Sequence, residues 1–375
     1  MFLELIFPSL TIFFVSIFIS IKLTKNAVFS LFISLVKTFI FFAYFSIFGD
    51  NLIMVGDDGS YYKFGLLLKE NNITFYNFLF NLDTVFRIVS LDSAIVYYIF
   101  NLISFQIFGN SYSSPIALNI LICVLSAYLF TKILLNENLL SQKNYKYFYL
   151  FFSLNPVILT WSSLINIKDL FVMFLTIALF YSFVFFKEKK ILKSFLLGMF
   201  ISVILFYTRF YVPLIFYVSV VIVWSINNKK NVKSLLLIFI VGVIAFIYYK
   251  SAIFGAINTM KEFYYNPLLG YIRILLTPLP FKVSELYSFL TISSFYKFII
   301  FPFLCLGILS SFKFRKSQFF QILFIYTFLL LTIISSTEIL QGPRQRLQVE
   351  SILIYLEFIG ILYFKKLLYS LRNKS

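Results

Sequence analysis

Histidine is absent from the 375 residues of this chain. That absence excludes a Ser-His-Asp triad, a histidine-ligated zinc centre and an imidazole proton shuttle. Only two cysteines occur, Cys123 and Cys305, both inside apolar runs. They supply no disulfide framework and no CxxC metal site, and they read as small buried hydrophobes. Charge is scarce too: charged residues are 13% of the chain, with 15 acids against 32 bases. If the protein is an enzyme, its general base is expected to be a carboxylate, with Tyr or Lys the next candidates.

Hydrophobic residues make up 61% of the sequence, with 53 Phe and 26 Tyr, and mean hydropathy is +0.93. Soluble domains are only about half apolar and about a quarter charged, so the composition is that of an integral membrane protein. Phe and Tyr suit lipid-facing and interfacial surfaces. Runs long enough to cross a bilayer cover roughly residues 2–21, 27–48, 114–135, 147–162, 169–186, 194–209, 211–226, 234–254, 295–311, 317–336 and 349–364. The fold expected is an all-α polytopic membrane protein, residues 1–375 forming one membrane domain with about 11 transmembrane helices.

The apolar segment 92–108, "DSAIVYYIFNLISFQIFG" onward from Asp92, is placed by charge. If it lies flat on the membrane, every second loop becomes basic. The six basic loops then hold 19 of the 32 basic residues and only two acids, Glu137 and Glu188. If it crosses, most of that charge flips outside, against the cytoplasmic preference of Lys and Arg. The reading is therefore an amphipathic juxtamembrane helix at 92–108, the N-terminus outside and the C-terminus in the cytoplasm. The first run lacks a basic start and carries Glu4, so it reads as a crossing and not a cleaved signal. The net charge of +17 is then mostly an orientation signal, and nucleic acid is not an expected partner.

This topology puts the polar motifs on one face. The first large outer loop, 49–113, contains "GDDGSYYKFG". Asp57 and Asp58 form a solvated turn, or a carboxylate base, or part of a divalent-cation site for Mg²⁺ or Mn²⁺. Tyr61 and Tyr62 offer faces for a sugar ring, and Lys63 adds positive charge. In "NPVILTWSSLINIKDLF", Lys168 and Asp169 open a crossing. They suit either helix-end electrostatics or a phosphate held by Lys168 and steadied by Asp169. Arg209 sits in a tight outer turn, either snorkelling or facing a cavity. The second outer loop, 255–294, contributes Arg273. "GPRQRL" then puts Arg344 and Arg346 outside, against the positive-inside trend, where arginine binds phosphate bidentately.

An acidic pair followed by "YY", a flat helix ending in "IFGNS" and "GPRQRL" entering the last helix together resemble the multi-spanning GT-C glycosyltransferases. "NPVILTWSSLINIKD" is similar to a run in bacterial polysaccharide polymerases. The family motif often has Tyr or Pro where this chain has Gln345 and Gln348. The resemblance implies a bacterial cytoplasmic-membrane enzyme working on its outer face, with a polyprenyl-phosphate or -diphosphate sugar as donor. The acceptor is a second lipid-linked sugar. Asp57 or Asp58 would act as base, and Lys168, Arg209, Arg344 or Arg346 would stabilise the departing phosphate. An O-antigen or capsule repeat-unit polymerase, working beside a chain-length regulator or other assembly proteins, is the expectation. A single-sugar transferase and a lipid-linked oligosaccharide flippase are the alternatives.

Overall fold

The computed structural model describes residues 2–49, 57–89, 94–188, 190–227, 258, 261–283, 285–338 and 342–373. Among them the chain is nearly all helix, with one isolated bridge between Tyr264 and Thr337 and no strand. Eight helical stretches are long and apolar enough to span a bilayer: Leu3–Thr24, Ala27–Phe48, Ser113–Asn136, Lys168–Phe185, Ile191–Arg209, Tyr287–Phe314, Gln318–Ser335 and Pro343–Arg372. Their outward residues include Phe14, Phe18, Phe39 and Phe200, all exposed. Stripes of that kind need lipid around them. The protein is a multi-pass, all-α membrane protein.

One expected span is divided, one is a single helix shorter than the eight above, and one lies outside the described residues. The stretch 147–162 is two short helices, α7 and α8 below, and 211–226 is a helix of 17 residues, Tyr211–Asn227. The span at 234–254, with Lys250, lies outside the described residues, as does Gly56 of the acidic motif.

The chain divides into two compact units, residues 1–210 with 279–299, and residues 211–278 with 300–375. The first is built from α1 (Phe2–Thr24), α2 (Ala27–Phe48), α3 (Asp58–Glu70), a 3-10 turn at Phe78–Asn81, α4 (Leu82–Val89) and α5 (Ile95–Phe108). These are followed by α6 (Ser113–Asn136), α7 (Tyr145–Ser153), α8 (Pro156–Leu164), α9 (Lys168–Lys187) and α10 (Ile191–Arg209). Local chemistry explains the main break. Pro156 cannot donate to α7, which stops at Ser153, and Asn155 caps α8 by accepting from the Val157 N–H at 3.0 Å.

Segment 92–108 is not the amphipathic helix expected of it. Among its described residues α5 buries nearly every face, including Tyr97, Tyr98, Asn101 and Phe105. It packs against α3 and α6 inside the unit, as a helix apolar all round must. Charge counting could not see this, because α5 has no charged residue in it. Its contact with α3 is tight at Gly65, where an added Cβ would lie 2.8 Å from atoms of both Asn101 and Phe105.

The second unit holds α11 (Tyr211–Asn227), α12 (Pro267–Leu276), the later part of α13 (Thr291–Ser311), α14 (Gln318–Ser335) and α15 (Pro343–Arg372). Small residues let its helices touch backbone to backbone: Gly307 of α13 meets the Leu356 carbonyl, and Gly360 of α15 meets that of Phe303. In lipid such close approach replaces the missing hydrophobic drive between helices.

Candidate functional site

In the first unit the starts of α3, α6 and α9 come together with the end of α10. The start of α6 and the start of α9 share this end because the α7–α8 pair carries the chain back along α6.

Asp57 and Asp58 open α3, where helix polarity favours negative charge. They do different things. Asp58 is buried: its Oδ1 accepts from the Gly59 N–H and its Oδ2 from the Tyr112 hydroxyl, both at 2.6 Å. Asp57 is exposed, and its Oδ2 accepts from the Tyr61 hydroxyl one turn on, at 3.2 Å. Burial first, and then the charge and hydrogen bond of Asp58, push the Tyr112 hydroxyl well above the usual tyrosine range. Tyr112 therefore serves as a neutral donor.

Behind Tyr112 lies an amide network. The connection Ile165–Ile167 is not helical, so its buried polar groups need partners elsewhere. Asn166 is the hub. Its N–H approaches the Tyr112 oxygen at a long 3.5 Å, its Oδ1 accepts from the Tyr97 hydroxyl at 2.7 Å, and its Nδ2 donates to Asn101 Oδ1 at 2.7 Å. Asn119 Nδ2 donates to the Tyr97 oxygen at 3.1 Å, and Asn101 Nδ2 to the Tyr97 carbonyl at 2.8 Å. A buried network of this kind restrains its members, although Asn119 Oδ1 makes no hydrogen bond among the described residues.

Two cations stand at the same end. Lys168 is buried, its Nζ 5.7 Å from the centre of the Tyr61 ring. Next to it Asp169, fully buried, accepts from Arg209 Nη2 at 3.1 Å. The pair joins the start of α9 to the end of α10, and the Arg209 side chain keeps 18% exposure. Tyr62 lies edge-on to Tyr112 with its hydroxyl on the Asn110 carbonyl at 2.8 Å. Lys63 is exposed on α3.

Of the expected residues, Asp57, Asp58, Tyr61, Tyr62, Lys168, Asp169 and Arg209 thus share one unit and one end of it. Tyr97, Asn101, Tyr112, Asn119 and Asn166 were not expected. The signal was in the amides Asn101, Asn119 and Asn166 within otherwise apolar runs, because polar groups inside a membrane protein turn to its interior; the tyrosines carried none.

Arg273, Arg344 and Arg346 belong to the second unit. Arg346, 2% exposed, is held from all sides. Its Nη1 donates to the Ile274, Leu275 and Thr277 carbonyls at 3.1, 2.9 and 3.1 Å, and its Nε lies 3.2 Å from Glu350. It therefore caps the C-terminal end of α12, where carbonyls lack helix partners. Arg344, half-buried, sits in the first turn of α15, and Arg273 is exposed with its guanidinium 5.6 Å over the Tyr265 ring.

Among the described residues the acidic pair has no third acid, histidine or cysteine beside it to help hold a divalent cation. Both Asp58 oxygens already accept hydrogen bonds.

Comparison of the chain with protein-family models, curated proteins and solved structures returns no match.

Proposed function

We propose that the protein is a membrane glycosyltransferase that takes a sugar from a polyprenyl-phosphate or -diphosphate carrier, as a polysaccharide repeat-unit polymerase does. The end carrying Asp57 would face the outside of a bacterial cytoplasmic membrane. One observation carries the reading: an exposed carboxylate, Asp57, stands beside a buried acid–tyrosine–amide network and two cations, Lys168 and Arg209, at one end of a helix bundle.

The chemistry follows from what each residue holds. Asp57 accepts the proton of the acceptor hydroxyl as that oxygen attacks the anomeric carbon. The bond from that carbon to the carrier phosphate breaks, and the phosphate leaves with the electron pair. It departs as an anion, so it needs cations more than an acid, and Lys168 and Arg209 supply them. Asp58 is a positioning residue: its bonds to Gly59 and Tyr112 hold the first turn of α3, and with it Asp57. Arg346 is assigned to holding α12 and α15, since its Nη1 is occupied by carbonyls. No step requires a metal ion.

Cells lacking the gene, complemented and assayed for surface polysaccharide on a gel, test this. Wild type restores a ladder of chain lengths. Asp57→Asn at equal protein level lowers product about 10²- to 10⁴-fold, the usual worth of a general base. A single shifted band would instead make the protein a one-sugar transferase, and an unaffected ladder would end the base assignment.

A flippase reading has its own support. The break at Asn155 divides a would-be spanning helix, and Lys37 is wholly buried within α2. Interrupted helices and intramembrane charge are the features transporters use. In that case the lipid-linked precursor accumulates on the cytoplasmic leaflet when the gene is lost.

A further inference from the structure

Between α3 and α4 the chain carries no charged residue from Asn71 to Leu82. Charge resumes on either side, at Lys69 and Glu70 before it and at Asp83 and Arg87 after. Within it the polar groups turn inward. The Asn77 side chain bonds the Thr74 N–H at 2.6 Å and the Asn72 carbonyl at 3.0 Å. Asn81 bonds the Asn77 carbonyl at 2.9 Å, and the Phe75 N–H reaches Gln106 of α5 at 3.3 Å. The large side chains turn the other way. Tyr76 is 87% and Phe80 89% exposed, with Phe75 and Leu79 about half or more exposed beside them.

We infer that the segment Phe75–Leu82 is a wedge that sits in the lipid headgroup and upper acyl region of the protein's own membrane. The occupant follows from the setting. The segment belongs to the stretch 49–112 that joins spanning helix α2 to spanning helix α6, so it is assigned to the membrane surface. Bulky aromatic side chains on a charge-free, internally hydrogen-bonded turn match the interfacial zone. Water would leave both exposed rings unburied.

The wedge is also rigid. Val85 and Val89 of α4 are buried in the cluster that contains Tyr61, Tyr97 and Tyr98, and Phe78 and Phe86 pack against it. Since Tyr61 bonds Asp57, the depth at which the aromatic rings settle fixes the height of the acidic turn above the bilayer. The inference does not depend on the transferase reading.

Spin labels test it directly. In a Cys305→Ser chain reconstituted into phosphatidylethanolamine–phosphatidylglycerol vesicles, single cysteines are placed by Tyr76→Cys, Phe80→Cys and, as an aqueous reference, Lys63→Cys. Buried Cys123 stays in place. Labels at the first two positions should be relaxed severalfold more by oxygen than by a water-soluble nickel chelate, the reverse of the reference. Nickel access equal to the reference overturns the inference, because the rings then face water. Protection from both reagents also overturns it, because protein then covers the patch. Phe80→Trp gives a second reading without labels. Acyl-brominated lipids should quench its emission beyond the Trp161 and Trp224 background, and quenching by iodide alone would refute lipid contact.

Discussion

Arg209 and Arg346 each reach a fully buried carboxylate, Asp169 at 3.1 Å and Glu350 at 3.2 Å, yet their surroundings differ. Arg346 sits within one helix, i to i+4 with its acid, and spends Nη1 on the carbonyls that end α12. Arg209 ties the end of α10 to the start of α9 and keeps a fifth or so of its side chain at the surface. A charge sealed in with carbonyls has its donors taken up by the fold. A charge at the rim, beside Lys168 and an acidic turn, is placed to meet an anion. Sequence position made the two alike, as arginines near helix ends. Burial and partners separate them.

Substituting both with methionine separates their roles most sharply. Arg346→Met leaves Glu350 buried without its cation and three carbonyls without their donor. Breaking a buried pair from one side costs about 3–5 kcal/mol, so folded protein should fall and activity with it. Arg209→Met should keep far more of its stability, read as thermal unfolding in vesicles, while transfer falls. Equal destabilisation by the two would erase the contrast and make Arg209 a structural residue as well.

Lys37 extends the comparison to a cation without an acid. It is buried completely within α2, and its Nζ makes no hydrogen bond among the described residues. An unpaired buried polar group costs about 1–3 kcal/mol in proteins, so Lys37→Met should raise stability by that order. Retained transfer in the stabilised variant marks the lysine as a tolerated burial. Loss of function in a more stable protein would favour the transport reading, in which the amine lies on a path.

Much of the bundle was legible in the sequence because lipid demands long apolar runs, and nine of the expected runs stand as single helices. What escaped was whatever lipid does not write. Asn155-Pro156 was legible as a helix break, but not that it divides the run 147–162 into two short helices, and α5 carries no charge for a topology rule to weigh. Half of the site was visible: Asp57, Asp58, Lys168, Asp169 and Arg209 are charges in a chain that has few. The other half, Tyr97, Asn101, Tyr112, Asn119 and Asn166, consists of neutral donors and acceptors. Their importance lies in pairing over 22 to 69 residues of chain. Arg346 was visible but its role was not, since the carbonyls it binds come from a helix about 70 residues earlier.

The smallest expected effect lies two residues beyond Arg346. Gln348 is buried, and its side-chain amide meets the Tyr211 hydroxyl of α11 at 3.1–3.2 Å. This contact is neutral on both sides and joins two helices in a membrane, where such bonds average about 0.6 kcal/mol. Gln348→Leu keeps the volume close and should shift unfolding only slightly, well under the cost of Arg346→Met. If the two variants prove equally damaging, the start of α15 behaves as one cooperative polar unit with α11 and α12, and the carbonyl cradle around Arg346 is not the special anchor its geometry suggests. If they differ as expected, charge sealed in by carbonyls, not polarity as such, holds this helix in register.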